Sequence, residues 1–140
     1  MDSGIVLKTL EQARAFFQKD RFAAGSGMTV EEVSPGRAVI SLCLTEAHRN
    51  AVGGVMGGVL LTMADFACAV ASHFGTGTGQ HVSADAHMSF LNPCRDDVLR
   101  AEAACLKPGK RLSWYEVLIR DGQDTLVAKA TFTMCRIDLT

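Results

Sequence analysis

Val55-Met56-Gly57-Gly58-Val59-Leu60-Leu61-Thr62-Met63-Ala64-Asp65-Phe66-Ala67-Cys68-Ala69-Val70-Ala71 is the most apolar stretch of this chain, and Asp65 is its one ionisable carboxylate. The run over about 57–74 is long enough for a single helix, and most of its residues favour that conformation. Thr62, Asp65 and Ser72 recur at spacings of three and seven, so a helix places them on one stripe with Ala69 between. A helix apolar on nearly every other side is one surrounded by protein. Gly57, Gly58 and Asp65 interrupt the run, which favours a buried helix of a soluble protein over a membrane span. An ionised carboxylate in such surroundings is costly unless it is solvated, neutralised or serving a site, which makes Asp65 the first candidate for chemistry.

Outward from this run the chain changes period. Residues 5–19 carry Ile5, Leu7, Leu10, Ala13, Phe16 and Phe17 near helical spacing with polar residues between, which predicts an N-terminal amphipathic helix. After Gly25-Ser26-Gly27, the β-rich runs Met28–Val33 and Arg37–Leu44 flank Ser34-Pro35-Gly36 and predict a hairpin. Thr45–Gly54 reads as a loop, and the Gly75–Gly79 segment as the end of the helix. Four strands follow, His81–Leu91, Asp97–Leu106, Arg111–Arg120 and Thr125–Ile137, broken at Asn92-Pro93, Lys107-Pro108-Gly109-Lys110 and Asp121-Gly122. Long antiparallel strands after one buried helix give an α+β fold with helix against sheet, as one domain over residues 1–140 with its core at about 28–137.

Composition narrows the partners. A formal charge of -1 lacks the basic footprint of a nucleic-acid-binding protein, and 48% hydrophobic residues exclude a disordered chain. The five cysteines are odd in number and widely spaced, and Met1-Asp2-Ser3-Gly4 carries no basic leader, so a reducing cytoplasm is the expected compartment. His48, His73, His81 and His87 have no metal-ligand spacing, and no metal is expected. Cys68 reads as a small buried hydrophobe.

His48-Arg49-Asn50 lies in the loop, Gly57-Gly58 opens the helix and Asp65 lies two turns further in. The first amides of a helix have no intrahelical acceptor, and the dipole favours negative charge there. Glycine leaves them open to close approach, so a carbonyl oxygen against the Gly57 amide would be polarised and a developing oxyanion stabilised. On one helix Gly57 and Asp65 stand about 12 Å apart, too far for both to touch one carbonyl. If they cooperate, they come from different subunits.

The stretch His48–Gly58, followed by Asp65-Phe66-Ala67, then Val82-Ser83-Ala84-Asp85, Phe90-Leu91-Asn92-Pro93 and Lys107–Arg111, resembles the hotdog-fold acyl-CoA thioesterases of the phenylacetic-acid-degradation (PaaI-like) and thioesterase-superfamily-member type. The resemblance implies a long central helix wrapped by an antiparallel sheet, and a homodimer or homotetramer with active sites between subunits. It implies that the Gly57 amide polarises the thioester carbonyl. Asp65 of the facing subunit would act as nucleophile or general base, with Asn50 and Ser83 placing the water or the carboxylate. His48, Met56 and Gly58 would contact substrate, and Lys110 and Arg111 the phosphates of CoA, for which arginine's forked donors are suited. CoA would be part of the substrate, with no other cofactor and neither nucleic acid nor membrane as partner. Such an enzyme would hydrolyse an aromatic or medium-chain acyl-CoA, or an acyl-carrier-protein substrate.

One departure stands out. The family usually has histidine immediately before the two glycines, and this chain has Met56, whose thioether donates no hydrogen bond. That leaves two other readings beside hydrolysis: a non-catalytic acyl-CoA-binding protein, and a hotdog hydratase or dehydratase, although Met56 removes the histidine such chemistry would use. Simpler readings exist for single residues. Thr62-Met63-Ala64-Asp65 fits a capping box, Asn50 a side-chain turn and Ser83 a strand hydroxyl.

Overall fold

The computed structural model describes residues 5–76 and 81–137. The chain runs through two short helices, α1 (Leu10–Phe17) and α2 (Arg21–Gly25), a hairpin of β1 (Thr29–Ser34) and β2 (Arg37–Cys43), and the helix α3 (Gly57–His73). Four strands follow: β3 (His81–Phe90), β4 (Val98–Lys107), β5 (Leu112–Asp121) and β6 (Leu126–Arg136). The strands form one six-stranded antiparallel sheet in the order β1-β2-β4-β5-β6-β3. It is the α+β hotdog arrangement, with α3 packed across one face of the sheet.

The core lies between them. Leu60, Met63, Ala64, Ala67, Cys68, Val70 and Ala71 of α3 are buried, as are Ile40, Leu42, Leu99, Val117, Ile119, Phe132 and Met134 of the sheet. Alanines at 101, 103, 128 and 130, all buried, keep the strands low where the helix crosses them. Burial pushes the Cys68 thiol well up, which leaves it an inert packing group. Phe17 of α1 meets the Phe66 ring edge-on at 5.9 Å, so the N-terminal helices cover a second side of α3. Gly75, at φ 79°, adopts the left-handed conformation that ends the helix, and its amide donates to Leu7 O.

Three expectations need correction. The N-terminal helix does not span 5–19: Thr9 caps it through a bond from the Gln12 amide, while Ile5–Lys8 stays out of the helix so that Leu7 is buried. The chain then turns into α2 before Gly25-Ser26-Gly27, an element that five residues of unremarkable pattern do not announce. The polar stripe is also revised, since Thr62 and Asp65 lie on the open side of α3 while Ser72 is buried and donates to Ala69 O. Helix and strand ends otherwise fall within a residue or so of expectation. Met1–Gly4 and the Gly77–Gly79 part of the expected helix stop lie outside the described residues.

His73, at the end of α3, is 93% buried with its Nδ1 donating to Ala69 O at 2.6 Å, and its ring meets that of His81 edge-on at 5.3 Å. Burial holds both histidines below the ordinary imidazole value. The folded protein therefore binds fewer protons here than the unfolded chain, and this stability, complete above the unfolded value of about 6.5, is lost as pH falls below it. Urea unfolding at about pH 7.5 and about pH 5.5 is expected to show a weaker fold at the acid end, with the difference smaller in His73→Phe.

Candidate active site

Asp65 lies at the centre of the side of α3 that its own chain leaves uncovered, and it is exposed in the protomer. Ser83, on β3, donates its hydroxyl to Asp65 Oδ1 at 2.6 Å. This bond fixes the carboxylate against the sheet edge, and among the described residues Oδ2 has no partner. The helix begins at Gly57, eight residues earlier, so Thr62 is not an N-cap; its hydroxyl donates back to Gly58 O at 2.8 Å.

The opposite end of the site is the start of α3. Met56 stands at the N-cap position and its side chain caps nothing. Val59 is the first amide of the helix with a backbone acceptor, Met56 O at 2.9 Å, so the amides of Gly57 and Gly58 are open among the described residues. A Cβ added at Gly57 would lie 3.3 Å from the Phe90 ring, so a side chain here requires that exposed ring to give by a few tenths of an ångström. A cavity of about 410 Å³ opens beside Gly57, lined by Gly54, Leu60, Phe90, Leu91, Pro93 and Val127.

The loop that delivers the chain to Gly57 is built by two of the expected site residues. Asn50 Oδ1 accepts from the amides of Val52 (3.1 Å) and Gly54 (3.0 Å), with Gly53 in the left-handed region at φ 87°. The side-chain turn is thus formed, and only the Asn50 Nδ2 group is left to face a substrate. His48 Nδ1 accepts from the Thr45 amide at 2.9 Å, which fixes the proton on Nε2, and Nε2 donates to Ser26 O at 2.8 Å. Both nitrogens of this buried ring are engaged by backbone, so it offers a ligand a wall rather than a donor.

Lys110 and Arg111 form an exposed tip between β4 and β5. Lys110 lines a cavity of about 550 Å³ with Ser72, Thr76, His81 and Arg136, at the far end of α3 from Gly57. Within one protomer the structure therefore joins Asp65 with Ser83, and Asn50 with the loop before Gly57. It does not bring Lys110 or Arg111 to either group. Four further residues border Asp65 unannounced by any motif: Asp20, Arg21, Phe22 and Ala23 line a cavity of about 300 Å³ with it, placed there by tertiary packing of α2. Loss of solvent raises the Asp20 carboxyl above its ordinary value, His73 opposes this, and the Asp65 charge adds a smaller upward push.

A long helix packed on one face of an antiparallel sheet, with a carboxylate on its open side and free amides at its start, defines a protein of the hotdog class. The thioesterase superfamily pattern matches residues 52–128, and the chain belongs to that superfamily, a family of thioester hydrolases. A Deinococcus radiodurans relative is 35% identical over 104 residues, covering 74% of this chain and 69% of its own. Human acyl-coenzyme A thioesterase 13 is 27% identical over 131 residues, covering 91% of this chain and 89% of its own. The Escherichia coli PaaI protein from the phenylacetic acid degradation operon superposes with a TM-score of 0.81 at 26% identity, over 94% of this chain and 99% of that one. No described helix is long and apolar enough to cross a membrane.

Replacing Asn50 with alanine removes the one side-chain acceptor shared by two amides. The fold is expected to lose about 1–2 kcal/mol in urea unfolding, and the Val52 and Gly54 amides to exchange faster with deuterium than those of β6.

Proposed function

We propose that this protein hydrolyses acyl-CoA thioesters, with Asp65 of one subunit and the Gly57 amide of its partner acting on the same carbonyl. The observation that carries the reading is the Ser83–Asp65 bond, which holds a carboxylate at the open face of α3 with one oxygen free. Asp65 Oδ2 takes a proton from water as the water oxygen adds to the thioester carbon, and the charge collects on the carbonyl oxygen at the Gly57 N–H. Collapse expels the CoA thiolate, which takes the proton back from Asp65. Direct addition of the carboxylate, giving an anhydride that water then opens, uses the same groups. Neither route needs a metal or a cofactor beyond CoA itself.

The sheet edges support a shared site. β1 is guarded by Glu31 and Glu32, by a bulge between Val30 and Glu32, and by Arg14, whose Nε donates to Val30 O. β3 has a bulge of its own between Ser83 and Asp85, but its outer edge is unpaired among the described residues: its ten residues pair with β6 alone, and most are exposed. Joining two copies along β3 would set the open sides of their α3 helices together, which meets the 12 Å separation of Gly57 and Asp65 estimated from the helical rise. Lys110 and Arg111, which serve no inward contact, would then be available to CoA phosphates, in a homodimer or a tetramer of two dimers.

Asp65→Asn is expected to lower kcat for acyl-CoA by at least about a hundredfold, and Ser83→Ala by about tenfold, followed by thioester absorbance. Gly57→Pro removes the polarising N–H at the helix position that best tolerates proline, and should be as inactive as Asp65→Asn. Refolding an equal mixture of Gly57→Pro and Asp65→Asn chains should restore about a quarter of the parental rate if each site draws on both subunits, and nothing if each site lies in one.

A further inference from the structure

The face of α3 that carries Gly58, Val59, Thr62, Asp65 and Phe66 is not flat. Across from it runs α2 with the turn after it, and the two enclose a groove that widens from about 300 Å³ beside Asp65 to about 740 Å³ toward Met56. Phe22 and Thr62 border both parts, so the two adjoin at these side chains. Its walls are α2 and α3 of one protomer, and a copy joined along β3, which brings the open side of its own α3 to this place, would roof it.

The groove's chemistry is that of a hydrocarbon site. Its hydroxyls and its imidazole are turned onto backbone: Thr62 to Gly58 O, Ser26 to Phe22 O, Thr45 to the Ala47 amide, and His48 at both nitrogens. What remains facing the wide part, beside the glycines, is Phe22, Met28, Cys43, Ala47, Met56 and Val59, while Asp20, Arg21 and Asp65 border the narrow end. Phe22 is 76% exposed and Met56 50% exposed, which is unfavourable for large apolar groups unless something covers them. Glycines set the floor: a Cβ at Gly25 would meet nothing within 4 Å, and one at Gly58 only the Met56 side chain at 3.9 Å.

We infer that this groove is the acyl channel of the protomer that supplies Asp65, that it takes a straight aliphatic chain of medium length, and that Phe22 and Met56 decide how long a chain fits. This rests on the hydrolysis reading. The thioester carbon sits at Asp65 and the chain runs toward Met56, nine residues back along α3, a span of about 13 Å that suits an acyl group of about ten carbons. A phenylacetyl group would fill the Asp65 end and leave the wider end empty. The substitution that removes histidine before Gly57 thus places an adaptable apolar side chain at the end of the channel.

The test is kcat/KM over straight-chain acyl-CoAs from butyryl to hexadecanoyl, and phenylacetyl-CoA, for the parent, Gly25→Leu, Met56→Trp and Phe22→Ala. Gly25→Leu builds into open space and Met56→Trp fills the far end from an exposed position, so at least one is expected to keep the parental melting curve. The expected result is a parental optimum near decanoyl and a decanoyl-to-butyryl ratio at least about tenfold lower in either plugged variant, with a broader profile in Phe22→Ala. Parental preference for phenylacetyl, or a chain-length profile unmoved by both plugs, overturns the channel. A parent that hydrolyses nothing overturns the hydrolysis reading instead. Calorimetry with non-hydrolysable decyl-CoA and ethyl-CoA thioethers then still judges the groove: the decyl advantage must fall at least about tenfold in Gly25→Leu, or the channel is wrong.

Discussion

The constraint on which this structure rests is that an apolar helix of seventeen residues must be covered on most of its circumference by a chain of modest length. The sheet covers one side, and the small alanines of β4 and β6 let it come close. α1 and α2 cover another, through Phe17 on Phe66. One strip is left, between the edge of β3 and the flank of α2, and it is there that the helix places its carboxylate. Asp65 is affordable in this sequence because the strip is open to water and because Ser83 supplies a donor. A carboxylate one position on, at Phe66, would face the Phe17 ring with no such partner.

The sequence is most legible where a period fixes the answer. Four strands and α3 could be placed to within a residue or so because alternation and the long apolar run leave few other assignments, and the turns carry glycine and proline. The misreadings have a common cause in contacts that no local pattern encodes. Leu7 belongs to the core yet lies before the Thr9 cap, so helical spacing alone extends α1 too far. Ser72 shares a loose stripe with Asp65 by counting, but whether that stripe is open depends on how far β3 wraps. Asn50 and His48 carry the polar groups a site would want, and only hydrogen bonds to Gly54 and Ser26 reveal that they build the loop. Asp20 and Phe22 reach Asp65 from forty residues away, which no spacing could foretell.

Met56 bears on whether the site is active at all. A histidine there could cap, donate or accept; methionine can do little of this, and it stands at an N-cap with no capping bond. The consequence is that nothing in its own side chain competes with a ligand for the amides of Gly57 and Gly58. A protein that only bound acyl-CoA would gain little from a carboxylate tied to a strand serine beside the reacting carbon. A hydratase would need a second titrating group at the helix start, and the nearest histidine, His48, has both nitrogens engaged. Hydrolysis is the one of the three chemistries that uses what remains.

The charges at the narrow end of the groove, Asp65, Asp20 and Arg21, also bear on product release. Asp20 is exposed and feels the charge of Asp65, and Arg21 lines the same cavity, so an anion there meets two carboxylates and one guanidinium. The substrate brings a neutral thioester to that place, and the product is a carboxylic acid that ionises as it forms. Apolar contact along α2 and α3 favours both equally, whereas the charge at Asp65 opposes only the product. On the hydrolysis reading, the same aspartate that activates the attack therefore helps to expel what the attack produces, with Asp20 and Arg21, of opposite charge, at the cavity wall beside it.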